Sequence, residues 1–235
     1  MNEPNTLGAG LWGFSRAAMM SALLWTVATL LMLVVGCASS EENIRKSKGY
    51  YQEGLARLGT DQQQAYVSFQ KAVKLNPGNK EAHYGLGHVY ATQGKVKQAE
   101  EEFREAIRID PDYAEAHTYL GQVLASQGEW KEAIASFHRA LSNPLYATPD
   151  LARFHLGRAL LHEGDPQGAM EVLEDALTVT PPNVPQARLQ LELGRVYHQL
   201  GFDVRAREAL KKASTLDKDG EYAAAANELL ARIKP

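Results

Sequence analysis

The chain has 235 residues, 45% of them hydrophobic, and a formal net charge of -3; that is enough for one or two compact domains or a single repeat array. No Lys/Arg cluster stands out, and a nucleic-acid partner needs a basic stripe to displace counterions from phosphate, so that class is disfavoured. The single cysteine, Cys37, excludes a disulfide framework, a CxxC zinc site and a CxxCH haem attachment.

In chain order, the first element is a long apolar run. Residues 17–35 are interrupted only by Ser21, Thr26 and Thr29, and Arg16 is the one basic residue before them. The length suits an uncleaved membrane helix as well as a secretory leader with a thin positive end. Val34, Val35, Gly36 and Cys37, followed by the polar break Ala38-Ser39-Ser40-Glu41-Glu42, resemble the bacterial lipobox. That resemblance implies cleavage before Cys37, a diacylglyceryl group on its thiol and three acyl chains, palmitate-like, on the new N-terminus. Several chains hold a protein at a membrane essentially for good, whereas one does so only marginally. Ala38 stands where an Asp would, in several bacterial groups, retain the protein at the inner membrane, so the periplasmic face of the outer membrane is expected. Residues 1–36 are then a signal peptide, and 37–47 a lipidated cysteine with a polar tether. Fully extended, that tether would reach roughly 35 Å at ~3.5 Å per residue.

Beyond it the chain repeats. Gly87 and Gly121 are 34 residues apart, as are Ala99 and Ala133, and Pro77 and Pro111. A unit of that length with L-G-x-x-Y, then A-x-x-x-F-x-x-A, then P, resembles the tetratricopeptide repeat. It appears as Leu86-Gly87, Tyr90, Ala99, Phe103, Ala106 and Pro111, and again as Leu120-Gly121, Leu124, Ala133, Phe137 and Ala140. A fourth unit has Leu156-Gly157, Leu160, Ala169, Leu173, Ala176 and Pro181; a fifth has Leu193-Gly194, Tyr197, Ala206, Leu210 and Ala213. The first is degenerate, keeping Gly54, Ala65, Phe69, Ala72 and Pro77. The expected fold is all-α: a superhelix of five helix pairs over 48–219, with a capping helix in 220–235. Gly94, Gly128, Gly164 and Gly201 fall where each first helix must stop, a left-handed position that suits glycine. Pro77, Pro111 and Pro181 would keep the second helix from running on. One pair cannot bury its apolar face alone, so neighbours must stack.

Counting back from each repeat glycine, the inward positions of the first helices include Tyr51, Leu55, Tyr84, His88, Thr118 and Gln122. Further on come Phe154, Arg158, Leu161, Leu191, Arg195 and His198. These residues are expected to line a partner-binding groove, aromatic and aliphatic at its ends and small and polar in the middle. The Lys/Asn constellation that clamps a peptide C-terminus in co-chaperone repeats is missing.

The stretch Asn143-Pro144-Leu145-Tyr146-Ala147-Thr148-Pro149 breaks the regular spacing. Pro149 suits the first turn of a helix, with Thr148 as its N-cap. With Ala152, Leu156 and Gly157 behind it, this loop resembles the one found in the type IV pilus pilotin family, the PilF, PilW and Tgl lipoproteins. That resemblance implies an outer-membrane lipoprotein that binds secretin subunits and aids their insertion and multimerisation, supporting pilus biogenesis and motility. The chain departs from the family pattern at Thr118-Tyr119-Leu120-Gly121, where Asn-Asn-Tyr-Gly is common, and at His155, before the Leu-Gly of the fourth repeat, where Asn is frequent.

Catalysis is not expected. The seven histidines are scattered; His83 and His117 occupy equivalent repeat positions; and His162-Glu163 lacks the second histidine of a zincin helix. No phosphate loop or GxSxG elbow occurs, so neither a metal nor a cofactor is expected. Trp130 fits a core-packing position. The rival readings are a general envelope scaffold serving proteases or peptidoglycan enzymes and, more remotely, a hydrolase with an unrecognised site.

Overall fold

The computed structural model describes residues 40–218 and 220–233. The apolar run, the lipobox residues Val34, Val35 and Gly36, and Cys37 lie outside the described residues. The chain divides into two units, 1–46 and 47–235. Of the first, the described residues 40–46 are helical, with Lys46 paired to Glu42 at 2.8 Å. The polar tether, whose fully extended length sets only the upper limit of its reach, is helical over residues 40–46. A helix advances only ~1.5 Å per residue, so its reach falls well below the extended limit.

From Ser47 onward the helices alternate as antiparallel pairs. Residues 40–57 form α1, followed by α2 (Gln62–Leu75), α3 (Lys80–Thr92), α4 (Val96–Ile109), α5 (Ala114–Ser126) and α6 (Trp130–Leu141). Then come α7 (Pro149–His162), α8 (Pro166–Ala176), α9 (Gln186–Gln199), α10 (Asp203–Leu216) and the capping helix α11 (Glu221–Arg232). Ser47 already belongs to the array: it is buried, donates to the Ala72 carbonyl at 2.7 Å and accepts from the Asn79 amide at 2.8 Å.

The expected turn chemistry is present at four of the five helix hairpins. Gly94, Gly128, Gly164 and Gly201 have φ between 70° and 83°. At the first of these, the Lys95 N–H reaches back to the Tyr90 carbonyl at 2.9 Å and closes a Schellman motif. Two prolines stop helices as expected: α2 ends just before Pro77 and α4 just before Pro111. Pro181 does not stop α8, which already ends at Ala176. A longer connection follows instead, and Asp150 organises it. Its buried carboxylate accepts from the Asn183 N–H (2.6 Å), the Val184 N–H (2.8 Å) and the Asn183 side-chain amide (3.0 Å).

Within each pair one contact sets the spacing. A Cβ added to Gly87 would lie 2.7 Å from Phe103, one on Gly121 2.6 Å from Phe137, and one on Gly157 2.7 Å from Leu173. The knob is always the large residue of the second helix, and it is wholly buried in Phe69, Phe103, Phe137, Leu173 and Leu210. Burying such a side chain contributes about 1.5–3 kcal/mol. The core is a chain of local clusters: one runs through the first three pairs, another through α7–α10, and a third holds α11 through Ala226 and Ile233.

These two kinds of glycine predict different costs. Gly128→Ala meets no neighbouring atom and pays only for the left-handed backbone, about 1–2 kcal/mol. Gly121→Ala drives a methyl into Phe137 and is expected to cost at least as much, about 1–3 kcal/mol by overpacking. Combined with Phe137→Ala, which removes the opposing ring, Gly121→Ala should cost less than the sum of the two single changes in urea unfolding, whereas Gly128→Ala should add in full; equal behaviour of both backgrounds would refute the assignment.

Candidate functional site: the inner face of the first helices

Each of α3, α5, α7 and α9 touches the next helix of that set, and α9 touches α11, whereas the second helices make no such contacts with one another. The first helices are therefore the inner, more tightly curved layer, and their free sides form the concave face.

At its N-terminal part that face is aromatic. The Tyr84 ring lies 5.5 Å from those of both Tyr113 and Tyr119, His88 is 5.4 Å from Tyr119, and Tyr51 packs on Phe69 at 6.0 Å. Burial pushes the Tyr84 and Tyr113 hydroxyls far above the usual phenol range, with Glu115 adding to both, so they stay neutral donors. A cleft of about 310 Å³ opens between α3 and α5, walled by the apolar Ala91, Val96 and Val123 together with His88, Thr92, Tyr119, Gln122 and Ser126. His88 Nδ1 and Gln122 Nε2 are buried there without a hydrogen-bond partner. Burial holds the His88 pKa below its ordinary value, so the ring is neutral near pH 7.

The C-terminal part is basic. Arg188 of α9 lies over the Phe154 ring at 4.4 Å, and Arg158 of α7 approaches it at 5.9 Å. His155 sits beneath, stacked toward Phe137 at 6.0 Å and edge-on to Phe154 at 5.1 Å. Arg195 is held by Glu192 at 2.7 Å and His198 by Asp203 at 2.8 Å.

Set against the expected lining, Tyr51, Tyr84, His88, Gln122 and Leu161 are half-buried on this face, and Leu55, Arg158, Arg195 and His198 are exposed. Three residues are not lining. Phe154 is 0% exposed because the inter-helix cluster encloses it and Arg188 roofs it. Leu191 is 4% exposed, packed with Leu210 and Ala213. Thr118 is fully buried: its hydroxyl donates to the Ala114 carbonyl (3.0 Å) and accepts from the Tyr146 hydroxyl (2.8 Å). Sequence reading passed over Tyr119 and Arg188. Tyr119 adjoins the counted Thr118, so a two-residue-wide stripe would have included it; Arg188 lies one turn before Leu191, and carrying the count back one turn would have reached it.

Elsewhere the singled-out residues have structural partners. The Tyr146 ring packs among Ala114, Ala140 and Ala152, and the Asn143 amide donates to the Asp112 carbonyl at 2.9 Å, so the inserted loop is pinned to the preceding repeat. Thr148 is the residue before α7 and Pro149 opens it, but the Thr148 side chain makes no capping hydrogen bond. Leu145, at the loop tip, is 89% exposed. His83 and His117 each bond the carbonyl of the proline before their repeat, Pro77 (3.0 Å) and Pro111 (2.9 Å). Trp130 is half-buried and stacks on His162 at 3.9 Å. Among the described residues no group of three or more His, Cys, Asp or Glu is placed to hold a metal, and no helix is long and apolar enough to cross a membrane.

Comparison with known proteins agrees with this architecture. Tetratricopeptide-repeat profiles match residues 61–104, 89–128 and 120–186, running without a gap over more than half of the chain. The chain is a tetratricopeptide-repeat protein. No curated protein sequence matches it at a significant level. Among solved structures it is similar to PilF of Pseudomonas aeruginosa, at 25% identity and a TM-score of 0.67 over 83% of this chain and 94% of that one. It is also similar to PilW, described as a widely conserved type IV pilus biogenesis factor, at 28% identity and a TM-score of 0.66 over 72% and 77%. YrrB, a repeat protein with an unusual peptide-binding site, matches at 25% identity and a TM-score of 0.61 over 80% and 95%.

The position of His155 has a consequence for stability. Burial first, then the charges of Arg158 and Arg188, push its pKa down to about 3. The neutral ring therefore stabilises the fold above the unfolded value near 6.5, and that contribution is lost as pH falls from there toward 3. His155→Phe should lose less stability than the parent between about pH 7.5 and about 5 in thermal melts; an unchanged slope would show that His155 is not buried in its neutral form.

Proposed function

We propose that the chain is an outer-membrane lipoprotein that docks type IV pilus secretin subunits and assists their insertion and multimerisation. The observation that carries this is the likeness to PilF and PilW across most of the chain, well beyond a single repeat. Two features support it: the lipobox-like Val34-Val35-Gly36-Cys37, and a concave face that leaves tyrosines, His88 and two arginines available to a partner. A lipid at Cys37 would confine the array to the membrane where secretin subunits arrive. Binding them there raises their local concentration and orients them, with no need for a catalytic group. The protein acts by binding, not catalysis.

Cys37→Ser is expected to give a folded protein that fails to fractionate with the outer membrane and no longer supports heat-resistant secretin multimers. Normal multimers in that strain would defeat the proposal. Crosslinking the lipidated protein in cells separates this role from a general envelope scaffold: recovery of a protease or cell-wall enzyme in place of a secretin would favour the latter.

A further inference from the structure

Arg158 and Arg188 come from neighbouring first helices, converge on one buried ring, and have no carboxylate within ion-pairing distance among the described residues. Nearby Glu192 is already held by Arg195. The positive charge is felt below: both guanidiniums act on the His155 ring, and no carboxylate opposes them there. A guanidinium presents its N–H groups as a planar fork whose edges match a carboxylate's two oxygens. The Phe154 ring, 4.4 Å from the Arg188 guanidinium, restricts that side chain, so less of its freedom is lost when an anion arrives.

We propose that Arg158 and Arg188 form a carboxylate-binding pair that receives an acidic side chain from an extended segment of a protein partner lying along the concave face. This rests on the docking role above and specifies the chemistry of what docks. The pair lies part-way along the array, with α3 and α5 on one side and α11 on the other, so a chain can pass through rather than end there. Along the same face, the α3–α5 cleft offers His88 Nδ1 and Gln122 Nε2 without partners. Its volume of about 310 Å³ admits a side chain with its peptide group and is too small for a folded element. The ordered arrangement, a largely apolar cleft holding the His88 and Gln122 nitrogens toward one end and the basic pair toward the other, gives a bound strand one preferred direction.

The test uses the full chain in non-denaturing detergent and fluorescence anisotropy with a short, C-terminally amidated peptide of alternating Glu and Leu. The control peptide carries Gln in place of Glu. The Glu peptide should bind about tenfold more tightly, and its affinity should fall as salt is raised. Arg158→Gln and Arg188→Gln should each remove about tenfold of that preference. Arg158→Gln leaves the exposed side of the pair altered without uncovering Phe154, and thermal melting checks that each variant is folded. Equal affinity for the two peptides, undiminished affinity in folded Arg158→Gln, a requirement for a free C-terminal carboxylate, or displacement of the peptide by phosphatidylglycerol micelles with no Glu preference each overturns the pair. Secretin capture in cells alongside failure of the Glu peptide leaves the docking role standing and removes this contact. Glu-peptide binding without secretin capture does the reverse.

Discussion

A missing Cβ filled by a large side chain sets the geometry of everything else. At Gly87, Gly121, Gly157 and Gly194 the space a methyl would take is occupied by Phe103, Phe137, Leu173 and Leu210. The two helices of a pair can then approach closely, and the same ring also packs residues of the next first helix: Phe103 lies 5.9 Å from Tyr119. Spacing within a pair and stacking between pairs are thus controlled by one residue. A packed interior transmits such a constraint because it has little free volume to absorb a change.

Stacking on that pattern puts the first helices inside and gives them a shared surface whose chemistry changes along its length. The first three pairs put tyrosines there, where burial first, and Glu81 and Glu115 in addition, oppose ionisation of Tyr51 and Tyr113. The next two pairs put arginines there, over Phe154. The core residues beneath hardly vary, since each must fill the same gap. The surface positions are under no such requirement and carry what distinguishes this array from any other. A long, graded surface of this kind suits recognition of an extended segment more than a compact one.

The two places where the spacing slips are handled by polar groups. Between the third and fourth pairs, Asn143 bonds the Asp112 carbonyl and Tyr146 covers Thr118. Between the fourth and fifth, Asp150 gathers three N–H groups from the following loop. Each insertion would otherwise leave buried backbone or hydroxyl groups without partners, a cost that side-chain hydrogen bonds remove. The inserted loop at residues 143–149 is therefore a structural patch, with the tip at Leu145 left exposed.

The sequence by itself determined the repeat length, the pairing of helices, the left-handed glycines and the large residue opposite each small one, because each is a local requirement expressed at fixed spacing. It also contained the lipobox-like segment. Tertiary structure decided which inward-looking residues are free. Phe154, Leu191 and Thr118 occupy groove positions in register with Arg158 and Tyr84, yet neighbours from other elements bury them: Arg188, Leu210 and Tyr146. Helical periodicity fixes the direction of a side chain from its own axis but not what the adjoining helix or loop places over it, and that depends on contacts between residues 19 to 34 positions apart.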